Sequence, residues 1–348
     1  MQRRILFVVR SKLGDTLVNF AIIRKYVDLN PNDKIFFLVR KNYARILHNE
    51  AGLKIISFSN KGEMYLKLIF LRLTAPAFDI LAVLFSSGRP NKYIGLLTKA
   101  KRKIIWNKKD APNIFEEGIK PSMTHHISDA MRVIRKFDPK FKTPDILSIP
   151  SLVNARNLNK QFAIGIVPLS LELRKNMNDS SLRNLINTLK KNYPKVILRV
   201  FINPDDNAAR DILEKNFIDE VELIVFKNLE DIIARYSELI AWFGVDTGLY
   251  HLAVACGIPS TIFFGPTQPL NIVMKKQPNV KAYRLAGLKN LHCDEKGCKN
   301  PVCLHTNISL FSNIQEEKVN LNNLPEHCLL RGCPTKQINI IKNFHNVT

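Results

Sequence analysis

A chain of 348 residues with 46% hydrophobic and 24% charged residues is long enough for two globular domains, which excludes a disordered or fibrous protein. Lys and Arg number 52 against 30 Asp and Glu, a formal net charge of +22, so the partners to consider are polyanions: nucleic acid, an anionic membrane face or phosphorylated substrates. The most apolar stretch, Met64 to Ser87, is interrupted by Lys67, Arg72, Pro76 and Asp79, which excludes a transmembrane helix of about 20 uncharged residues.

Arg4 to Val9 is a continuous aliphatic run and predicts a buried parallel strand. The apolar segment behind Met1 is too short for a secretory signal and meets Arg10 and Lys12 at once, so a cytoplasmic location is expected. After the turn Arg10 to Gly14, Asp15 opens a helix to about Asp28. It stands at the C-terminal edge of the first strand, where such folds build active sites, either as a general base or orienting carboxylate or as an N-cap. Strands are predicted over Lys34 to Val39, Ile55 to Phe58 and Phe78 to Phe85, and helices over Tyr43 to Asn49 and Lys92 to Lys99. Lys12, Arg40 and Ser86 fall on the same rim and are candidate acceptor contacts. Lys99 to Lys109 holds six basic residues in eleven, either a solvated surface or a contact for membrane phosphates. A helix over His125 to Phe137 precedes three prolines between Pro139 and Pro150, which mark a linker reaching about Lys160.

A second alternation follows, with strands Phe162 to Pro168, Lys195 to Ile202 and Val221 to Phe226, and helices Ser180 to Lys191, Ala208 to Asn216 and Leu229 to Tyr236. Two such runs predict an α/β protein of two parallel-sheet domains with a cleft between them: residues 1–155, residues 161–330, and a tail over 331–348 that is a candidate to pack back on the first domain. In the second domain, Leu239 to Phe243 has strand length and Gly244 breaks it. Asp246 stands where an N-cap belongs. The helix Thr247 to Cys256 then buries Leu249, Leu252, Ala253 and Cys256, and displays Thr247 and His251 on the opposite face. A polar pair at the positive end of a helix, beside a strand end, suits an anion; a capped helix with a solvent-facing histidine is the plain alternative.

Cys256 lies on the buried stripe. Cys293, Cys298, Cys303, Cys328 and Cys333 cluster late among His292, His305 and His327. In a cytoplasmic protein these are metal ligands rather than disulfides, a structural zinc or iron site, or else reduced thiols in a loop-rich tail. Five cysteines exceed one tetrahedral site.

Two segments together resemble the family 9 glycosyltransferases, the bacterial heptosyltransferases of lipopolysaccharide core assembly. Ile5 to Leu17, with its Leu13-Gly14-Asp15 turn, is similar to the family's opening; Asp246-Thr-Gly-Leu-Tyr-His251 with Phe264-Gly-Pro-Thr267 is similar to its donor-site signature. The resemblance implies a GT-B fold of two Rossmann-like domains facing across a cleft, with the acceptor on the first and a nucleotide sugar on the second. It also implies inverting transfer from ADP-L-glycero-D-manno-heptose with no catalytic cofactor or metal, onto the anionic Kdo-containing lipid A core at the inner membrane. Asp15 would be the general base. Lys175, Asp246, Thr247, Gly248 and His251 would hold the donor, and Asp206 its ribose or base. The chain departs from the family where Asn176-Met177 follows Lys175, where Gln268 follows Thr267, and where Asn203-Pro-Asp-Asp206 replaces a Gly-Gly turn. Some members with cysteine-held metal act on protein acceptors, which is the alternative within the family. A basic nucleic-acid-binding protein is the alternative outside it, although no arginine-rich helix or zinc-finger spacing supports that class.

Overall fold

The computed structural model describes residues 2–47, 51–84, 88–107, 109, 111, 113–119, 126–142, 147–154, 162–170, 175–177, 179–203, 207–217, 219–264, 277 and 279–284. These divide into two compact units, with the boundary between Val153 and Asn154.

The first unit is a parallel sheet of β1 (Arg4–Val9), β2 (Lys34–Arg40), β3 (Leu53–Phe58), β4 (Phe78–Leu84), β5 (Ala100–Ile105) and β6 (Glu117–Gly118), in the order β3-β2-β1-β4-β5-β6. Its helices are α1 (Leu13–Leu29), α2 (Lys41–Leu47), α3 (Lys61–Thr74), α4 (Pro90–Leu97), α5 (His126–Arg135) and α6 (Pro150–Asn154). The central strands are buried on both faces, as the crossovers of an all-parallel sheet require. Leu6 and Val8 pack with Met64 and Leu68 of α3 and Ile94 of α4. Phe7, alternating to the other face, meets Tyr26 of α1 and Phe137, with ring centroids at 5.7 and 6.2 Å.

Three expectations change here. Helix α3 begins at Lys61 and runs to Thr74, over the first part of the stretch from Met64 read only as an interrupted apolar run. The basic run at Lys99 holds a strand, Ala100–Ile105, between β4 and β6, with Lys99 and Lys101 exposed to solvent. Its charges are engaged nearby: Lys101 pairs with Asp79 at 2.7 Å, Arg102 with Glu117, and Lys103 Nζ donates to the Gly95 carbonyl at 2.7 Å. The proline-marked stretch is not a bare linker either, since Phe141, Leu147, Ile149 and Leu152 are buried and the Phe141 ring lies 5.8 Å from that of Tyr26.

The second unit contains β7 (Ala163–Val167), β8 (Ile197–Ile202), β9 (Glu222–Val225), β10 (Leu239–Val245), β11 (Ser260–Phe264) and β12 (Val280–Arg284), with α7 (Asp179–Asn192), α8 (Asn207–Phe217), α9 (Leu229–Tyr236) and α10 (Gly248–Ala255). Its sheet, β12-β11-β10-β7-β8-β9, is also wholly parallel and repeats the order of the first when strands are counted from β7. This is the Rossmann arrangement, in which the chain reverses direction of progress between the first and fourth strands. The crevice beyond their carboxyl ends is the place where such sheets take ligands.

Candidate active site

In the second unit the reversal lies between β7 and β10. Lys175 follows β7 and Asp246 follows β10, and they meet: Lys175 Nζ lies 2.8 Å from Asp246 Oδ2, with side chains only 15% and 7% exposed. Side chains 71 positions apart in sequence thus form one ion pair at the crevice. The bond to the carboxylate fixes the direction of the ammonium at this strand end. Sequence reasoning placed both residues at the donor but did not foresee their pairing.

Asp246 is not the N-cap of the following helix. Thr247 is: its backbone is extended (φ −139°, ψ 170°), and its Oγ1 accepts from the Leu249 N–H at 3.1 Å. Asp246 is thereby released to hold Lys175. The helix behind this cap differs from expectation as well. It is buried on nearly all sides, from Tyr250 to Ala255, so His251 is not displayed to solvent but sits 5% exposed with its ring 5.0 Å from that of Tyr250. Leu249, assigned to the buried stripe, is partly exposed.

Aromatic groups brace this helix from behind. Trp242 Nε1 donates to Tyr236 Oη at 3.0 Å, Tyr236 Oη reaches the Leu249 carbonyl at 3.4 Å, and Trp242 packs on Tyr250 at 5.9 Å. Burial pushes both tyrosine hydroxyls far above their ordinary pKa, and the Asp246 carboxylate adds to the effect at Tyr250. Gly244 does not break β10; it lies within it. A Cβ there would stand 2.5 Å from the Val167 carbonyl oxygen and 2.8 Å from the Trp242 ring, so glycine permits β10 to lie against β7 and Trp242. The helix ends at Gly257 (φ 72°), with Ile258 N–H donating to the Ala253 carbonyl at 3.0 Å.

In the first unit the reversal lies between β1 and β4. Arg10, at the end of β1, donates through Nη2 to Asn91 Oδ1 of α4 at 2.9 Å, and Asn91 is fully buried. Neither residue stood out in the sequence. Helix α1 starts earlier than expected, with Lys12 at the N-cap making no side-chain cap. Asp15 is therefore not the cap but a residue of the first turn, partly exposed, where the dipole favours its carboxylate. Thr16 Oγ1 donates to the Lys12 carbonyl at 2.9 Å and Asn19 Nδ2 to the Asp15 carbonyl at 2.7 Å, which fixes this turn. Lys12 and Arg40 are exposed on the rim. The half-buried Tyr43 feels both charges: burial raises its pKa most, Arg40 lowers it and Asp15 raises it again. A tyrosine just past a strand-end arginine was the signal that could have marked it.

Ser86, Asp206 and the late cysteines Cys293, Cys298, Cys303, Cys328 and Cys333 lie outside the described residues. Among the described residues no group of His, Cys, Asp and Glu is placed to hold a metal, and no helix is long and apolar enough to cross a membrane.

Two Rossmann-ordered parallel sheets, each with a polar bridge at its reversal point, place the chain among α/β proteins built from two such units. Solved structures agree in fold. E. coli heptosyltransferase WaaC with ADP matches at a TM-score of 0.64 and 18% identity, over 81% of this chain and 93% of that one. E. coli ADP-heptose lps heptosyltransferase II matches at 0.62 and 16%, over 83% and 91%. The iron-containing dodecameric glycosyltransferase TibC from enterotoxigenic E. coli matches at 0.54 and 14%, over 84% of this chain and 65% of that one. No curated protein matches by sequence. The family model of glycosyltransferase family 9 (heptosyltransferase) matches residues 97–303, more than half of the sequence. The chain belongs to glycosyltransferase family 9.

Proposed function

We propose that this enzyme is an inverting heptosyltransferase that moves heptose from ADP-L-glycero-D-manno-heptose to the inner core of lipopolysaccharide or lipooligosaccharide. The observation that carries the reading is the Lys175–Asp246 ion pair at the β7/β10 reversal, beside the N-terminus of α10. The leaving group is a nucleoside diphosphate, so negative charge grows on its phosphates as the glycosidic bond breaks. Lys175 and the first-turn N–H groups at Gly248 meet that charge without reorganising. Asp246 orients the ammonium and accepts from a sugar hydroxyl. Thr247 holds the helix end, His251 supports it from within, and Asp206 serves the ribose or base.

Asp15 is the general base. It takes the proton from the acceptor hydroxyl as that oxygen attacks the anomeric carbon, whose oxocarbenium character a carboxylate also favours. Lys12, Arg40 and Ser86 bind the phosphorylated, Kdo-containing acceptor. No cofactor takes part in the transfer. A lipid-anchored polyanion as acceptor suits the charge of +22 and a peripheral position on the cytoplasmic face of the inner membrane.

The test is incubation of the purified protein with a panel of nucleotide sugars and truncated core acceptors, with products identified by mass spectrometry. Heptose on a core acceptor, from the ADP sugar alone, is the expected product; no transfer from any ADP sugar would sink the reading. A second reading, transfer to a protein acceptor, is motivated by the five late cysteines and the likeness to an iron-containing glycosyltransferase. Bound metal together with a glycosylated protein would favour it.

A further inference from the structure

Helix α3 carries two apolar stripes. Met64 and Leu68 face the core of the first unit. Leu66, Ile69, Phe70 and Leu73 repeat at i, i+3, i+4 and i+7 on the outside, with Leu66 68%, Phe70 64% and Leu73 79% exposed. Tyr93 and Leu96 of α4, each about half exposed, continue the surface. The two helices are fixed to one another, with the Tyr65 and Tyr93 rings at 5.5 Å and Arg72 Nη1 donating to the Leu96 carbonyl at 2.8 Å. Scattered exposed leucines need no explanation, but a contiguous stripe on a fixed helix pair does.

The charge around the stripe selects the partner. Exposed Lys61, Arg72, Arg89, Lys92 and Lys99 border it, and from Lys61 to Lys99 the acids are Glu63 and Asp79. Both acids are already paired, Glu63 with Lys67 at 2.7 Å and Asp79 with Lys101 at 2.7 Å. A second protein copy meeting this face would bring the same cations against each other. An anionic bilayer offers both an acyl boundary for Leu66, Phe70 and Leu73 and headgroup phosphates for the rim. Fourteen residues make a helix only about 21 Å long, which suits lying in the interface and not spanning it. The N-termini of α3 and α4 open on the same sheet rim as Asp15, because each follows the carboxyl end of its strand.

We propose that the outer face of α3 and α4 is the surface by which this enzyme docks on anionic lipid, presenting the Asp15 rim to a membrane-borne acceptor. The lipid anchorage of the acceptor is taken from the function proposed above; the docking itself is not, so it is tested on vesicles without acceptor. Full-length protein is co-sedimented with vesicles of phosphatidylethanolamine and phosphatidylglycerol and with vesicles of phosphatidylcholine alone. Binding to the anionic vesicles and little to the neutral ones is expected. The triple variant Leu66→Ser, Phe70→Ser, Leu73→Ser should lose at least about tenfold in vesicle affinity, and Lys61→Glu or Lys92→Glu about fivefold or more each. Transfer to a detergent-free, truncated acceptor should be unchanged in the triple variant, which also reports that it is folded. Wild-type protein that ignores anionic vesicles, or a triple variant that binds them equally, would overturn the proposal. So would sedimentation equilibrium showing a wild-type dimer that the triple variant abolishes while vesicle binding persists. Docking with no heptose transfer would instead leave this surface standing and remove the proposed function.

Discussion

The two units share one strand order and differ in what stands at the reversal point. In the first, the Arg10 guanidinium donates to the neutral amide of the buried Asn91, and the acidic side chain of Asp15 rides on the following helix, partly exposed. In the second, a charged bridge from Lys175 to Asp246 lies beside the capped end of a helix that is packed almost all round. Under the proposed function, this difference divides the labour of group transfer between two copies of one scaffold. A base must meet a substrate proton and stays accessible; a site for a leaving diphosphate needs fixed charge and dipoles, and is buried and braced.

The comparison can be broken most sharply at Asp15. Asp15→Asn keeps the size of the side chain and removes the proposed base, so turnover should fall by about 10²–10⁴, with ADP affinity by calorimetry changed less than about twofold. Unchanged turnover would refute the division. Lys175→Met should act the opposite way, weakening ADP binding about tenfold to a hundredfold, the range for a lost charge-assisted bond. Because the substitution also strands the Asp246 carboxylate, Lys175→Met combined with Asp246→Asn should recover thermal stability but not ADP affinity. If affinity returns in the double variant, the lysine does not touch the donor. Gly244→Ala sets a methyl against the Val167 carbonyl and should cost about 1–3 kcal/mol of stability, seen as a lower melting temperature. An unaltered melt would show that β10 has slack against β7.

The smallest effect concerns α3. Asn60 caps its first turn, and Glu63 is held at a pKa of about 2, first by Lys67 and then by the Ser59 N–H. A depressed carboxylate contributes above its unfolded value of 4.5 and loses that contribution as pH falls toward 2. The first turn of α3 should therefore loosen over that window, by amide exchange at Glu63 and Met64, and Glu63→Gln should flatten the pH dependence.

Much of the fold was legible because buried parallel strands are continuous apolar runs; β1 is read from Arg4 to Val9 without loss. Helix α3 was not, since Leu66, Leu68, Ile69, Phe70, Leu71 and Leu73 point to both stripes and erase the periodicity by which an amphipathic helix is found. Strand β5 was hidden by cations whose partners, Asp79 and Glu117, lie on neighbouring strands or loops of the sheet. At the site, Asp15, Lys175 and Asp246 were singled out from sequence order and family likeness. The choice of Thr247 over Asp246 as cap, and the burial of His251, were beyond reach, because both depend on which carboxylate meets Lys175 and on the Trp242–Tyr236–Tyr250 group behind the helix.

The packing of α10 has a thermodynamic consequence for the donor. A helix buried from Tyr250 to Ala255 and braced by Trp242 and Tyr236 is ordered when the chain folds, so nucleotide binding at the proposed donor site should incur little conformational entropy at this helix end. The heat of ADP association should then report direct contacts there and not the assembly of a loop.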